Sequence, residues 1–169
     1  MVACVTTHLT DGTEVALREI RADDKALLAA GHARLSEQSR LKRFLGPKPK
    51  LTASDLRYLT EVDGVNHYAV VALTGGDIVA VARWVRLHDD PATAEAAVVV
   101  GDHLQGKGLG KALARNIADA ARAAGVRRIT ASILSDNPPA DALMRVIAAR
   151  LTDGGHHHGV HEMIAELAA

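Results

Sequence analysis

The stretch from Val98 to Ala114, VVVGDHLQGKGLGKALA, passes from an apolar run through a loop with three glycines in five residues into an amphipathic pattern. Gly106, Gly108 and Gly110 let the backbone approach a bulky anion and adopt positive φ. The unpaired N–H groups at the start of a following helix favour negative charge, and Lys107 and Lys111 stand beside them. Such a loop suits phosphate oxygens, but two common phosphate loops do not fit it. Gly101, Gly106 and Lys107 satisfy G-x-x-x-x-G-K, yet Gly108 stands where a triphosphate loop needs the hydroxyl that ligates magnesium. Gly106 and Gly108 begin G-x-G-x-x-G, yet Lys111 replaces the last glycine, where a side chain hinders close helix–strand packing. A third pattern, Q-x-x-G-x-G, is met in full by Gln105, Gly108 and Gly110. On these residues alone, a glycine-rich turn with no ligand stays open.

A second group with ligand chemistry is His156, His157, His158 and His161. Adjacent histidines on a strand point to opposite faces, and Glu162 is the acidic residue beside them in sequence. They are read as an exposed loop, and no metal is expected.

The elements around the glycine loop alternate. Thr13 to Ile20 has strand alternation, and the segment from Arg21 to Leu45 carries apolar residues at helical spacing, enough for one or two helices. GPKPKLTASDL breaks the chain at two prolines and restarts it, with Thr52 or Ser54 as helix cap. HYAVVAL and DIVAVARWVRL, separated by Thr74, Gly75 and Gly76, read as a hairpin. Ala94 to Val100 reads as a buried strand, and Gly108 to Ala124 as a helix with Leu109, Leu113, Ile117 and Ala121 on one stripe. A strand over Arg127 to Leu134, a helix over Pro138 to Ala149 and a last strand over Val160 to Leu167 complete an α/β chain.

Composition bounds the partners. The chain has 169 residues, 48% of them hydrophobic, which fits one domain over 1–169 with no linker or repeat. Lys plus Arg equals Asp plus Glu at 20 each, so no global field draws nucleic acid or an acidic membrane. The lone Cys4 excludes an internal disulfide framework. MVACVTTHLT lacks the features of a signal peptide, and no apolar run approaches the ~18 residues of a membrane span. A cytoplasmic location is expected.

With Gln105, Gly108 and Gly110 between a buried strand and a patterned helix, the chain resembles the Gcn5-related N-acetyltransferase (GNAT) superfamily. That resemblance implies a mixed central sheet of six to seven strands, flanked by helices and splayed between the fourth and fifth strands. It also implies acetyl-CoA as co-substrate. The pyrophosphate would lie on Gln105, Gly106, Lys107, Gly108, Leu109, Gly110 and Lys111, and the pantetheine arm along the main chain of Val98, Val99 and Val100. Asn137 matches a position that contacts the CoA arm in relatives; a helix cap before Pro138 is its other reading. SEQSRLKRFLG, Ser36 to Gly46, looks like a stretch of the bacterial Pat-type protein lysine acetyltransferases. Such enzymes often carry an extra regulatory domain, which is not expected here.

The implied reaction is acetyl transfer to a primary amine. A protein lysine is the preferred acceptor, with a small amine or a non-catalytic acyl-CoA sensor as alternatives. Amines are largely protonated near neutral pH, so a base is needed. The candidate is Glu95, ten residues before Gln105 in AEAAVVV. In an unbroken strand it shares a face with Ala97 and Val99, and apolar surroundings would raise its pKa. An exposed residue at a strand start is the alternative. Met144 stands where many relatives have a tyrosine that protonates the leaving thiolate. Arg40 and Arg43 read as a solvated helix face, and Phe44 as core.

Overall fold

The computed structural model describes residues 4–169; Met1, Val2 and Ala3, the start of the stretch scanned for a signal peptide, lie outside the described residues. The elements follow in the order β1 (Val5–His8), β2 (Glu14–Glu19), α1 (Lys25–Arg34), α2 (Glu37–Phe44), α3 (Ala53–Thr60), β3 (His67–Thr74), β4 (Asp77–Arg86) and β5 (Thr93–Val100). Then come α4 (Leu109–Ala123), β6 (Arg128–Leu134), α5 (Pro138–Ile147), β7 (Ala148–His157) and β8 (Val160–Leu167). Thr52 caps α3 by a reciprocal box, its hydroxyl accepting from Asp55 N and Asp55 accepting from Thr52 N.

The eight strands form one sheet in the order β1-β2-β3-β4-β5-β6-β8-β7. Every neighbouring pair is antiparallel except β5 and β6, whose parallel pairing needs the crossover that α4 supplies. The expected stripe on α4 is the centre of the larger core: Leu109, Leu113 and Ala121 are fully buried and Ile117 is 1% exposed, packed with Trp84, Ala82 and Ile129. Each such Leu or Ile contributes roughly 1.5–3 kcal/mol of burial. A second core, with Leu28, Leu59, Val71 and Val81, lies on the opposite face under α1 and α3.

The expected architecture holds, with eight strands in place of six to seven. The extra strands lie at the two edges. β1, with sequence VTTH, is too short and polar to show alternation. In β7, sequence AARLTDGGHH, glycines and two register shifts hide the period, and pairing with β8 makes the strand. His156 and His157 therefore lie on an edge strand and only His158 and Gly159 make the turn, a correction to the expected loop. The helix read to Ala149 ends at Ile147.

Candidate active site

β5 and β6 are paired over a short stretch, Thr93 with Arg128, Ala94 with Ile129 and Glu95 with Thr130. From Ala96 onward they diverge, while β5 stays in continuous register with β4 as far as Val100 and no bulge interrupts it. The gap is a cleft of about 90 Å³ walled by Ala96, Val98, Ala131, Ile133, Asn137 and Met144. Gly101 N donates to Val79 O on β4, and Ala92 O accepts from Arg128 N on the β6 side. By strand alternation, Ala96, Val98 and Val100 turn their N–H and C=O groups toward the cleft, and Val99 turns its own toward β4. The three valines are thus divided, and the Val99 side chain lines a different cavity beneath α1 and α2.

The glycine loop closes one end of this cleft. Gly106 and Gly108 have φ of +73° and +87°, the left-handed region that favours glycine, and Gly108 is the N-cap of α4. Ala112 N is the first helical amide to find a carbonyl, Gly108 O, so Leu109, Gly110 and Lys111 leave theirs free at the helix start. Leu109 is buried and offers the site only its main chain. Gly110 packs beside Leu143 of α5, 3.4 Å from where a Cβ would stand.

Two side chains expected to face phosphate are engaged elsewhere. Lys107 Nζ forms an ion pair with Asp11 at 2.8 Å, and Lys107 O accepts from Thr10 N, which ties the loop to the β1–β2 turn. Gln105 Nε2 donates to Val100 O and to Ser39 Oγ, at 3.0 and 3.2 Å. Lys111 is exposed and forms no ion pair among the described residues. Asn137 stands at the N-cap of α5 but makes no side-chain cap bond, so its amide is left to the cleft it lines.

The serines of SEQSR hold the loop. Asp102 accepts from Ser36 N, Ser36 Oγ and Ser39 Oγ at 3.0, 2.6 and 2.8 Å. Burial opposes the charge on Asp102, but these donors outweigh it and hold the carboxyl below its ordinary range. Ser36 also caps α2. Nothing in local spacing signals a contact across more than sixty residues.

Glu95 occupies the last paired position before the strands part, and its side chain is exposed, not enclosed by apolar groups as expected. On its face of the sheet stand Arg43, which its charge reaches, and Tyr58. Arg43 is not on a solvated face: half-buried, it lines both the cleft and the cavity beneath α1 and α2. Phe44 lines that cavity too and packs edge-on against His32. Met144 is buried in the cleft wall. Tyr68 donates to Asn116 Oδ1 at 3.0 Å and stacks on Trp84, on the α4 side of the sheet.

The histidines do have acidic partners, and these are not Glu162. His156 Nε2 meets Asp153 Oδ2 at 3.0 Å, and His161 Nε2 meets Asp141 Oδ1 at 2.9 Å.

A parted pair of parallel strands and a glycine loop at the head of the crossover helix thus make up one site. Residues 32–147 match the model of the acetyltransferase (GNAT) family. This chain belongs to that family. Acetyltransferase Pat of Mycolicibacterium smegmatis is 35% identical over 137 residues, 80% of this chain and 40% of that protein. The chain thus accounts for less than half of the length of that relative. The solved GNAT domain of S. lividans PAT is 31% identical, with a TM-score of 0.88 and 97% of each chain covered. A phosphinothricin acetyltransferase from Sinorhizobium meliloti, solved in complex with AcCoA, shares the fold at 23% identity, with a TM-score of 0.70 over 90% of this chain and 88% of that one. None of the described helices is long and apolar enough to cross a membrane.

Proposed function

We propose that residues 1–169 form one cytoplasmic domain that transfers an acetyl group from acetyl-CoA to a primary amine, a protein lysine by preference, with Glu95 as general base. The observation that carries the reading is the open edge of β5. The Ala96 carbonyl, both main-chain groups of Val98 and the Val100 N–H face a cleft where β6 no longer pairs with them, Val100 O being held by Gln105, and main-chain groups withdrawn from water need partners. A ligand arm with its own amides completes such an edge as an added strand. At the far end, the free N–H groups of Leu109, Gly110 and Lys111 suit a pyrophosphate, with the Lys111 ammonium beside them. The matching ligand is acyl-CoA, which supplies an activated thioester.

The separation fits. From Gly101 back to Glu95 is six residues of extended chain, roughly 20 Å. A pantetheine arm laid along β5 from the loop therefore ends near Glu95. There the carboxylate takes a proton from the incoming ammonium, directly or through water, and the neutral amine is acylated as the C–S bond breaks. A thiolate is a far better leaving group than an amine nitrogen, so the C–S bond breaks without a dedicated donor at Met144.

A survey of acceptors tests this. Free CoA thiol released from acetyl-CoA is measured against folded proteins, lysine peptides and small amines. Acetylated lysine in protein acceptors, with small amines turned over at least tenfold more slowly, is the expected outcome. Equal turnover of small amines would replace the lysine reading, and acetyl-CoA binding with no thiol release on any acceptor would make the domain a sensor.

A further inference from the structure

Beneath α1 and α2, on the sheet face opposite α4, lies a second cavity of about 260 Å³. Its wall is largely apolar, with Leu28, Phe44, Leu59, Val81 and Val99, but three arginines line it, Arg34 from α1, Arg43 from α2 and Arg83 from β4. Arg83 is 4% exposed. Its Nη1 donates to Leu59 O and to His67 Nε2, and its Nε is buried with no hydrogen-bond partner. Arg34 pairs with Asp77, but neither Arg43 nor Arg83 forms an ion pair with any described residue, so these two cations share one cavity without a bonded counter-charge.

The other charged groups do not cancel them. Asp102 lines the cavity, but its oxygens are taken by Ser36 and Ser39. Arg34 adds positive charge at the rim, where it pairs with Asp77 at 3.8 Å. His32 Nε2 donates to Lys48 O, and burial pushes its pKa down, leaving it neutral. Glu95 acts on Arg43 from an exposed position and not from within the cavity. Burial, with the neighbouring Arg43, pushes Arg83 down to about 9, and burial, with the charge of Arg83, pushes His67 down to about 4, so at neutral pH the arginine stays charged against a neutral imidazole. A buried guanidinium with an idle donor is costly unless an anion satisfies it.

We propose that this cavity receives the acceptor and that Arg43 and Arg83 bind a carboxylate the acceptor carries. The inference rests on the acetyltransferase reading and narrows its substrate class. Arg43 lines the acyl-CoA cleft as well as this cavity, so a group held by the pair lies beside the place where the thioester ends. A guanidinium fork matches the two oxygens of a carboxylate. The carboxylate belongs either to an acidic residue next to a target lysine or to a free amino acid that is itself acetylated.

Two matched pairs separate these sources. One is a lysine peptide with Glu or Gln beside the lysine; the other is an amino acid and its carboxamide. With saturating acetyl-CoA, kcat/KM should favour the carboxylate member of one pair by about 10- to 100-fold, mostly through KM, as charge-assisted hydrogen bonds do. Arg83→Gln should bring the ratio to about one with acetyl-CoA affinity unchanged. Arg43→Gln, which removes a side chain with no hydrogen bond to any described residue, should do the same to the ratio if Arg83→Gln fails to fold. Calorimetry with an N-acetylated amino acid and its carboxamide gives a readout without turnover. Carboxylate-selective binding with no thiol release on any amine supports the cavity assignment and defeats the acetyltransferase reading. Thiol release with a ratio near one in both pairs, or a preference for a dicarboxylic acyl-CoA donor with neutral acceptors, would overturn the assignment.

Discussion

Replacing Gly108 with valine is expected to weaken acetyl-CoA binding at least 100-fold, about 2.7 kcal/mol, while the domain stays folded. At φ +87° a β-branched residue is strained by about 1–3 kcal/mol, so the loop relaxes to another conformation. The relaxed loop no longer aims the free N–H groups of Leu109, Gly110 and Lys111 at one point, and a branched side chain stands where phosphate oxygens must approach. The fold itself has room, because a Cβ at Gly108 meets only Thr10 Cγ2, at 3.8 Å. Calorimetry with acetyl-CoA and thermal unfolding of the variant make the check. A folded variant of unchanged affinity would show that this loop is not the phosphate site.

Glu95→Gln is expected to lower kcat by ~100-fold or more and to leave acetyl-CoA affinity within about twofold, because it removes a proton acceptor without changing size. Exposure of Glu95 at the mouth of the cleft suits a base that trades protons with an amine or a bridging water, and its face of the sheet is the one that carries Arg43 and the acceptor cavity. Stopped assays at neutral pH with the best acceptor give kcat, and equilibrium titration gives the affinity. Near wild-type turnover would remove Glu95 from the mechanism.

What the sequence carried and what it did not have separate physical origins. The α4 stripe, the hairpin and the glycine loop are local patterns, readable because a period of 3.6 or 2 and a run of glycines act within a few residues. Glu95 was legible as a charged residue in an apolar strand, but its exposure was not: where β5 and β6 part just beyond it is a matter of pairing with a distant strand, not of TAEAAVVV itself. Lys107 was assigned to phosphate by proximity in the chain, whereas Asp11, nearly a hundred residues away, takes its ammonium. Arg43 and Arg83 lie on a helix and a strand forty residues apart, and each alone looks ordinary. Their shared cavity exists only in the folded sheet. The edge strands β1 and β7 were missed because an exposed edge needs no apolar alternation.

The most direct test is a crystal structure with acetyl-CoA bound. The pantetheine arm should run between β5 and β6, hydrogen-bonded to main-chain groups of Val98 and Val100, with the pyrophosphate on the N–H groups of Leu109, Gly110 and Lys111 and the acetyl carbon beside Glu95. A cofactor bound with its pyrophosphate away from that helix start, or with its acetyl group on the α4 side of the sheet and out of reach of Glu95, would contradict the account.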